Sequence, residues 1–107
     1  MQRVTIVRYK VKPDAVAENE QLSHAVFDRV RRDRPQGVSY GLFKEADGQS
    51  FVHVFVNLLD DNSDAVTGLA EFDAFGAHLS ARCEIPPEVS RGSMELVDSY
   101  GFSTREV

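Results

Sequence analysis

An α+β fold with one antiparallel sheet is what this sequence predicts, on three observations. Strand-like runs stand near the start, twice in the middle and again near the end; two segments with helical spacing separate them in the order β-α-β-β-α-β; and the strands carry apolar residues on both faces. Right-handed crossovers put both helices on the same side of the sheet, which is the ferredoxin-like arrangement. With 107 residues and no shift of composition along the chain, residues 1–107 read as a single domain.

The first strand is Thr5–Val11, where Thr5, Val7, Tyr9 and Val11 alternate with Ile6, Arg8 and Lys10 before Pro13 ends the run. Asp14 is placed to cap a helix running to about Asp33. Its Leu22, Val26, Phe27 and Val30 recur on one side, while Glu18, Glu20, His24 and Asp28 lie toward the other. Arg29, Arg31, Arg32 and Arg34 gather in the last turns, where cations complement the negative end of the helix dipole, and Pro35 and Gly37 stop the helix. In an acidic chain this cluster reads as a solvated helix end in preference to a phosphate site.

The next two runs, Val38–Lys44 and Phe51–Leu58, flank Asp47-Gly48, a strong hairpin signal. With those residues in the turn, Ala46 faces Gln49, Lys44 faces Phe51, Leu42 faces His53 and Tyr40 faces Phe55. One side then carries Val38, Tyr40, Leu42, Phe51, His53 and Phe55; the other carries Ser39, Gly41, Phe43, Val52, Val54 and Val56. Asp60 to Asp64 forms a loop. Its Asp60, Asn62 and Asp64, with Glu71, match part of a calcium-loop spacing, but Ala65 stands where the turn glycine belongs and a strand precedes it, so the segment reads as helix capping. A second helix follows, weakened by Gly68 and Gly76, with its main part from about Glu71 to Cys83 and Leu69, Phe72, Phe75 and Leu79 as its stripe. Ile85-Pro86-Pro87 ends it, Pro87 to Ser93 reads as a polar connection, and Met94 to Phe102 as the last strand.

Two helices cover one sheet face. The other would hold aromatic and branched side chains in water, which predicts a second sheet packed against it in a two-fold homodimer. The formal net charge of −5 opposes both phosphate backbones and anionic lipid, so neither nucleic acid nor membrane is an expected partner. No stretch reads as a signal segment or a membrane span, and the single Cys83 has no internal disulfide partner and no CxxC; the expectation is a cytoplasmic protein in which Cys83 is a small semi-buried side chain.

Together with Glu71-Phe72-Asp73-Ala74-Phe75-Gly76-Ala77-His78-Leu79 and its Phe-x-x-His-Leu pattern, this order of elements resembles the antibiotic-biosynthesis-monooxygenase-like family of dimeric α+β barrels. The resemblance runs from Tyr9-Lys10-Val11-Lys12-Pro13 to the last strand. It implies a range of members: cofactor-independent oxygenases acting on aromatic polyketides, haem-degrading enzymes, and proteins with no known reaction. The chain departs from the pattern after the third strand, where Val56-Asn57-Leu58-Leu59 replaces an acidic-x-Trp type ending. With no tryptophan anywhere, the haem-degrading branch loses support.

Candidate chemistry rests on few residues. His53, beside Phe51, Phe55, Tyr40 and Leu42, reads either as a general base or as a core histidine with a satisfied hydrogen bond. His78, one turn after Phe75, reads either as a group at the pocket margin or as a surface residue. Tyr9, Tyr40, Tyr100 and Arg8 could line a cavity, the tyrosines orienting a phenol or quinone and the arginine stabilising an enolate or peroxide anion; interface packing is their other reading. His24, His53 and His78 show no HxH or HExxH spacing, Ser39, Asp98 and Ser99 lack a GxSxG elbow, and no flavin or nicotinamide signature is present, so no metal or other cofactor is expected. The candidate set is thus His53, His78 and Arg8 as catalytic groups, with Tyr40, Phe55, Phe75 and Tyr100 as substrate contacts. The expected function is that of a cofactor-free monooxygenase-like enzyme acting on an aromatic small molecule. The alternative is a noncatalytic small-molecule-binding or interaction module on the same dimeric barrel.

Overall fold

The computed structural model describes residues 2–58 and 65–101. Four strands, β1 (Gln2–Val11), β2 (Val38–Lys44), β3 (Ser50–Asn57) and β4 (Cys83–Met94), form one antiparallel sheet in the spatial order β2-β3-β1-β4. Helix α1 (Val16–Asp33) connects β1 to β2, and α2 (Ala70–Gly76) and α3 (Leu79–Arg82) lie between β3 and β4. This is the ferredoxin-like α+β arrangement. None of these helices is long and apolar enough to cross a membrane.

Strand alternation decides which side chains meet the helices. Tyr9, Val11 and Phe51 join Ala15, Val26, Val66 and Phe75 in the buried core, with Val7, Val38, Tyr40, Leu42 and Phe55 packed around it. The opposite face carries Val4, Ile6 and Arg8 of β1 opposite Val56, Val54 and Val52 of β3, and Phe43 of β2 opposite Val52. No described helix packs there, and Phe43 is 61% exposed.

Helix α1 does not start on an aspartate cap. Pro13–Ala15 forms a single 3₁₀ turn, closed by the Ala15 N–H on the Lys12 carbonyl at 2.9 Å, and Ala15 precedes the helix with no side-chain cap. Proline at the front of that turn fixes its own φ for helical geometry, so Asp14 falls inside the turn instead of ahead of it. The inward stripe of α1 is Asn19, Ser23 and Val26, all buried, with Leu22 and Val30 beside them. At its C-terminus Arg34 adopts the left-handed region (φ 48, ψ 59) and donates its N–H to the Val30 carbonyl at 2.8 Å; Pro35 then prevents continuation. In the arginine cluster, Arg29 bonds Asp33 and Glu71 and Arg31 bonds Asp28.

The β2–β3 register is the one the hairpin signal implies: Lys44 faces Phe51, Leu42 faces His53 and Tyr40 faces Phe55. The turn itself differs from a two-residue Asp-Gly turn, because the Gly48 N–H closes on the Glu45 carbonyl and Gly48 alone has positive φ, at 74°. The Asp47 carboxylate holds the loop by accepting from Gln49 N, Ser50 N and Ser50 Oγ. Those donors pull its pKa down to about 2.

The last third of the chain departs from the sequence reading. The expected Glu71 to Cys83 helix ends at Gly76, breaks at Ala77-His78 and resumes as the four-residue α3. The polar connection Pro87 to Ser93 is strand, and residues 95–99, expected in the last strand, lie outside regular structure. The reason is a bulge. Between the Arg8–Glu88 and Lys10–Ile85 pairs, β1 has one residue, Tyr9, where β4 has two, Pro86 and Pro87. A bulge on an edge strand is one of the few places a sheet tolerates proline, so the dipeptide that ends helices here sits inside a strand. The calcium-like spacing at Asp60, Asn62 and Asp64, and its capping alternative, lie outside the described residues. Among those described, no group of three or more His, Cys, Asp or Glu side chains could hold a metal.

Candidate functional site

Between the helix-covered face of the sheet and the broken second helix lies a cavity of about 540 Å³, within the range of small-molecule sites. Its floor is the strand row Thr5, Val7, Tyr9, His53 and Phe55 with Tyr40; α2 and α3 contribute Phe72, Phe75, Gly76 and Leu79; Val89 and Pro87 come from β4. The bulge matters here, since Pro87 belongs to it. Val89 is more than half exposed, so the cavity opens along β4.

A line of polar groups runs beneath this apolar lining. Arg82 donates through Nε and Nη2 to Asn19 Oδ1, each at 3.2 Å, and through Nη2 to the Phe75 carbonyl at 2.8 Å. Asn19 Nδ2 donates to Tyr9 Oη at 2.9 Å; Tyr9 Oη lies 2.8 Å from His53 Nε2, and Tyr40 Oη lies 2.8 Å from His53 Nδ1. Helix α3 supplies Arg82, α1 supplies Asn19 and the sheet supplies the rest, Tyr9 and Tyr40 standing diagonally from His53 on the two strands that flank β3.

Donor and acceptor capacity fixes the direction of this line. A guanidinium only donates, so Asn19 must turn Oδ1 to Arg82 and Nδ2 to Tyr9. Tyr9 is 1% exposed and its Oη accepts from Asn19, so the acceptor within reach of its own buried hydrogen is His53 Nε2. A neutral imidazole accepting at Nε2 carries its proton on Nδ1 and donates it to Tyr40 Oη. The Tyr40 hydrogen is then the one left for the cavity.

Burial keeps the histidine and both tyrosines neutral at physiological pH. His53 is 6% exposed and desolvation lowers its pKa to about 4; desolvation raises Tyr9 to about 12 and raises Tyr40 as well. The one charge of the line is Arg82, 4% exposed, with its guanidinium 5.2 Å from the Phe75 ring centroid and Nη1 without a hydrogen-bond partner among the described residues. The Phe75 carbonyl it binds lies in the last turn of α2, where a cation complements the helix dipole. Cys83, next in the chain, has its thiol pushed up by burial, consistent with a packing role.

Of the residues singled out in the sequence, His53, Tyr40, Phe55 and Phe75 line the cavity together. Three do not. Arg8 points to the opposite sheet face, 65% exposed and 3.6 Å from Glu45, because its even position in β1 alternates away from Tyr9. His78 is exposed at the break between α2 and α3, and Tyr100 is fully exposed beyond β4. Asn19 and Arg82 were not singled out, nor were Arg3 and Arg91, which line the cavity. The signal for Asn19 was its place on the stripe of Leu22, Ser23, Val26 and Val30, a polar residue at a core position. Arg82 carried no comparable signal, since its burial depends on the helix break.

A four-stranded β2-β3-β1-β4 sheet with helices on one face and a ligand-sized cavity beneath them defines a ferredoxin-like α+β domain. Within that class the chain is structurally similar to antibiotic biosynthesis monooxygenase-like proteins. Rv0793 of Mycobacterium tuberculosis superposes with a TM-score of 0.73 at 21% identity, over 92% of this chain and 100% of that one. A proposed antibiotic biosynthesis monooxygenase from Nitrosomonas europaea gives 0.73 at 16% identity, over 92% and 94% of the two chains. SnoaB, a cofactor-independent oxygenase from Streptomyces nogalater, gives 0.65 at 19% identity, over 90% and 95%. No protein-family model and no curated protein matches the sequence. At these identities the likeness shows a shared fold.

Proposed function

We propose that this chain is a cofactor-independent monooxygenase-like protein that binds an aromatic small molecule in the cavity and works as a homodimer. The observation that carries the reading is the directed line ending at Tyr40, which presents a hydroxyl hydrogen to an aromatic-lined cavity. Such a donor favours the anionic form of a bound phenol or enol oxygen. The His53 Nδ1–H bond to Tyr40 Oη makes that hydroxyl a stronger donor. His53 is the support of this donor and not a base, since its Nε2 is occupied by Tyr9 and its pKa is depressed.

The chemistry that fits draws its electrons from the substrate. A ring CH₂ activated by a neighbouring enol or phenol oxygen loses a proton to water at the cavity mouth, and the carbanion gives its electrons to dioxygen, forming a C–O bond. The peroxide takes up a proton and loses water, so that CH₂ and O₂ become C=O and H₂O. The protein's part is to hold the anion and exclude bulk water. SnoaB, of the same fold, is a cofactor-independent oxygenase.

The dimer is supported by the bare sheet face. Ile6, Phe43 and Met94 are exposed there beside Val52 and Val54, a patch that a second copy would cover by packing sheet on sheet. Light scattering at micromolar concentration is expected to give twice the chain mass, and Phe43→Asp to give the monomer.

Oxygen uptake with a panel of anthrones and naphthols tests the activity. One O₂ consumed per carbonyl formed, with turnover falling at least tenfold in Tyr40→Phe, is the expected result. Saturable binding with no oxygen uptake would instead make the chain a binding module.

A further inference from the structure

We infer that the ligand of this cavity is an aromatic acid whose carboxylate sits between Arg3 and Arg91; this rests on the cavity being a small-molecule site. Arg3 and Arg91 are the charged residues of the lining, which contains no aspartate or glutamate among the described residues. That bias is pronounced in a chain of net charge −5. Neither Arg3 nor Arg91 has an ion pair among the described residues.

Their placement brings like charges together. Thr5 is directly opposite Arg91 and Arg3 is opposite Ser93, so the two arginines are diagonal neighbours on β1 and β4, on the same face. Diagonal cross-strand partners are about 7–8 Å apart, near enough for long side chains to meet, and like charges at that spacing repel. The Nε of Arg91 bonds Thr5 Oγ1 at 3.4 Å, which steadies the side chain, and its two terminal nitrogens have no hydrogen-bond partner among the described residues. A carboxylate between two guanidiniums removes the repulsion and takes charge-assisted hydrogen bonds from both.

The same geometry orients the ligand. Arg91, Thr5, Phe55 and Tyr40 form one row across the sheet, so Arg91 and Tyr40 are three strand spacings apart, about 14 Å between backbones. With both side chains leaning into the cavity, the gap suits a fused-ring aromatic, its carboxylate at the β4 mouth and its far oxygen at the Tyr40 hydroxyl.

The test compares 2-naphthoate with its neutral methyl ester by titration calorimetry, on the wild-type chain and on Arg3→Gln/Arg91→Gln. Both substitutions fall on exposed side chains, and circular dichroism will show the fold retained. Wild type is expected to bind the acid about tenfold more tightly than the ester, a preference that weakens with added salt. The double variant is expected to lose that preference while binding the ester as wild type does. Equal binding of acid and ester by wild type, or a preference that survives the double substitution, overturns the carboxylate site and leaves the cavity reading intact. Failure of both probes to bind overturns the cavity reading and this inference with it.

Discussion

The two helical connections of this sheet are built differently. The first is an unbroken 18-residue helix over β1, β2 and β3, whose inward side chains pack into the core. The second supplies seven residues, a break and four more, and α2 brings in one fully buried side chain, Phe75. The first connection closes the core. The second leaves β4 uncovered along Pro87, Val89 and Arg91, and that is where the cavity opens. Space for a ligand comes from an incomplete helix, and Arg82 compensates by tying Phe75 to Asn19 of the intact one.

If Arg82 joins the two halves, its loss should have the largest effect. Arg82→Ala leaves the Phe75 carbonyl and Asn19 Oδ1 without their donor and is expected to cost about 4 kcal/mol in urea unfolding, more than Val26→Ala in the apolar stripe of α1 at about 2 kcal/mol. A smaller loss at Arg82 than at Val26 would break the comparison.

Acid should act next, through the sheet residue that both halves enclose. His53 has a folded pKa of about 4 against 6.5 when unfolded, so the unfolded chain binds its proton first. The stability it confers is complete above pH 6.5 and is lost as pH falls toward 4, by about 3 kcal/mol. Urea midpoints across that range will show the slope, and the His53 ring resonance should titrate near its lower end. Tyr9 mirrors this on the alkaline side, with stability falling between pH 10 and about 12.

Tyr40→Phe removes the end of the line and leaves His53 Nδ1–H without an acceptor, for about 1–2 kcal/mol. In nitrogen-15 spectra Nδ1 should still carry the proton, because Asn19 and Tyr9 set the direction from the other end; a switch to Nε2 would show that Tyr40 sets it. The smallest effect is a gain. Arg34→Gly relieves a left-handed residue at the end of α1 and should stabilise by about 0.5–1 kcal/mol in the same unfolding assay.

What could be read in the sequence follows the same division. In β2 and β3 the alternation and one turn signal determine the partners, so Tyr40, His53 and Phe55 fall on one face from the sequence alone, whereas the register of β1 against β3 has no such local signal. The last third resisted because its rules are not local. Pro86 and Pro87 read as breakers unless the strand is known to be an edge with a bulge opposite Tyr9. The alternation of Pro87, Val89 and Arg91 is hidden by that bulge, and with it half of the cavity wall. Asn19 needed a partner 63 residues away to reveal its role. Hydropathy treats such a residue as facing solvent, although a polar group can enter a core when each of its atoms is matched.

The two prolines of β4 have one more consequence. A sheet edge recruits other strands through the amide hydrogens that alternate residues point outward, and the bulge residues Pro86 and Pro87 have none to offer. An extended peptide or another molecule's edge could not zip along β4 through this point, so growth of the sheet in its own plane stops there. The chain can leave one flank of its sheet bare for a ligand without inviting edge-on polymerisation along that stretch.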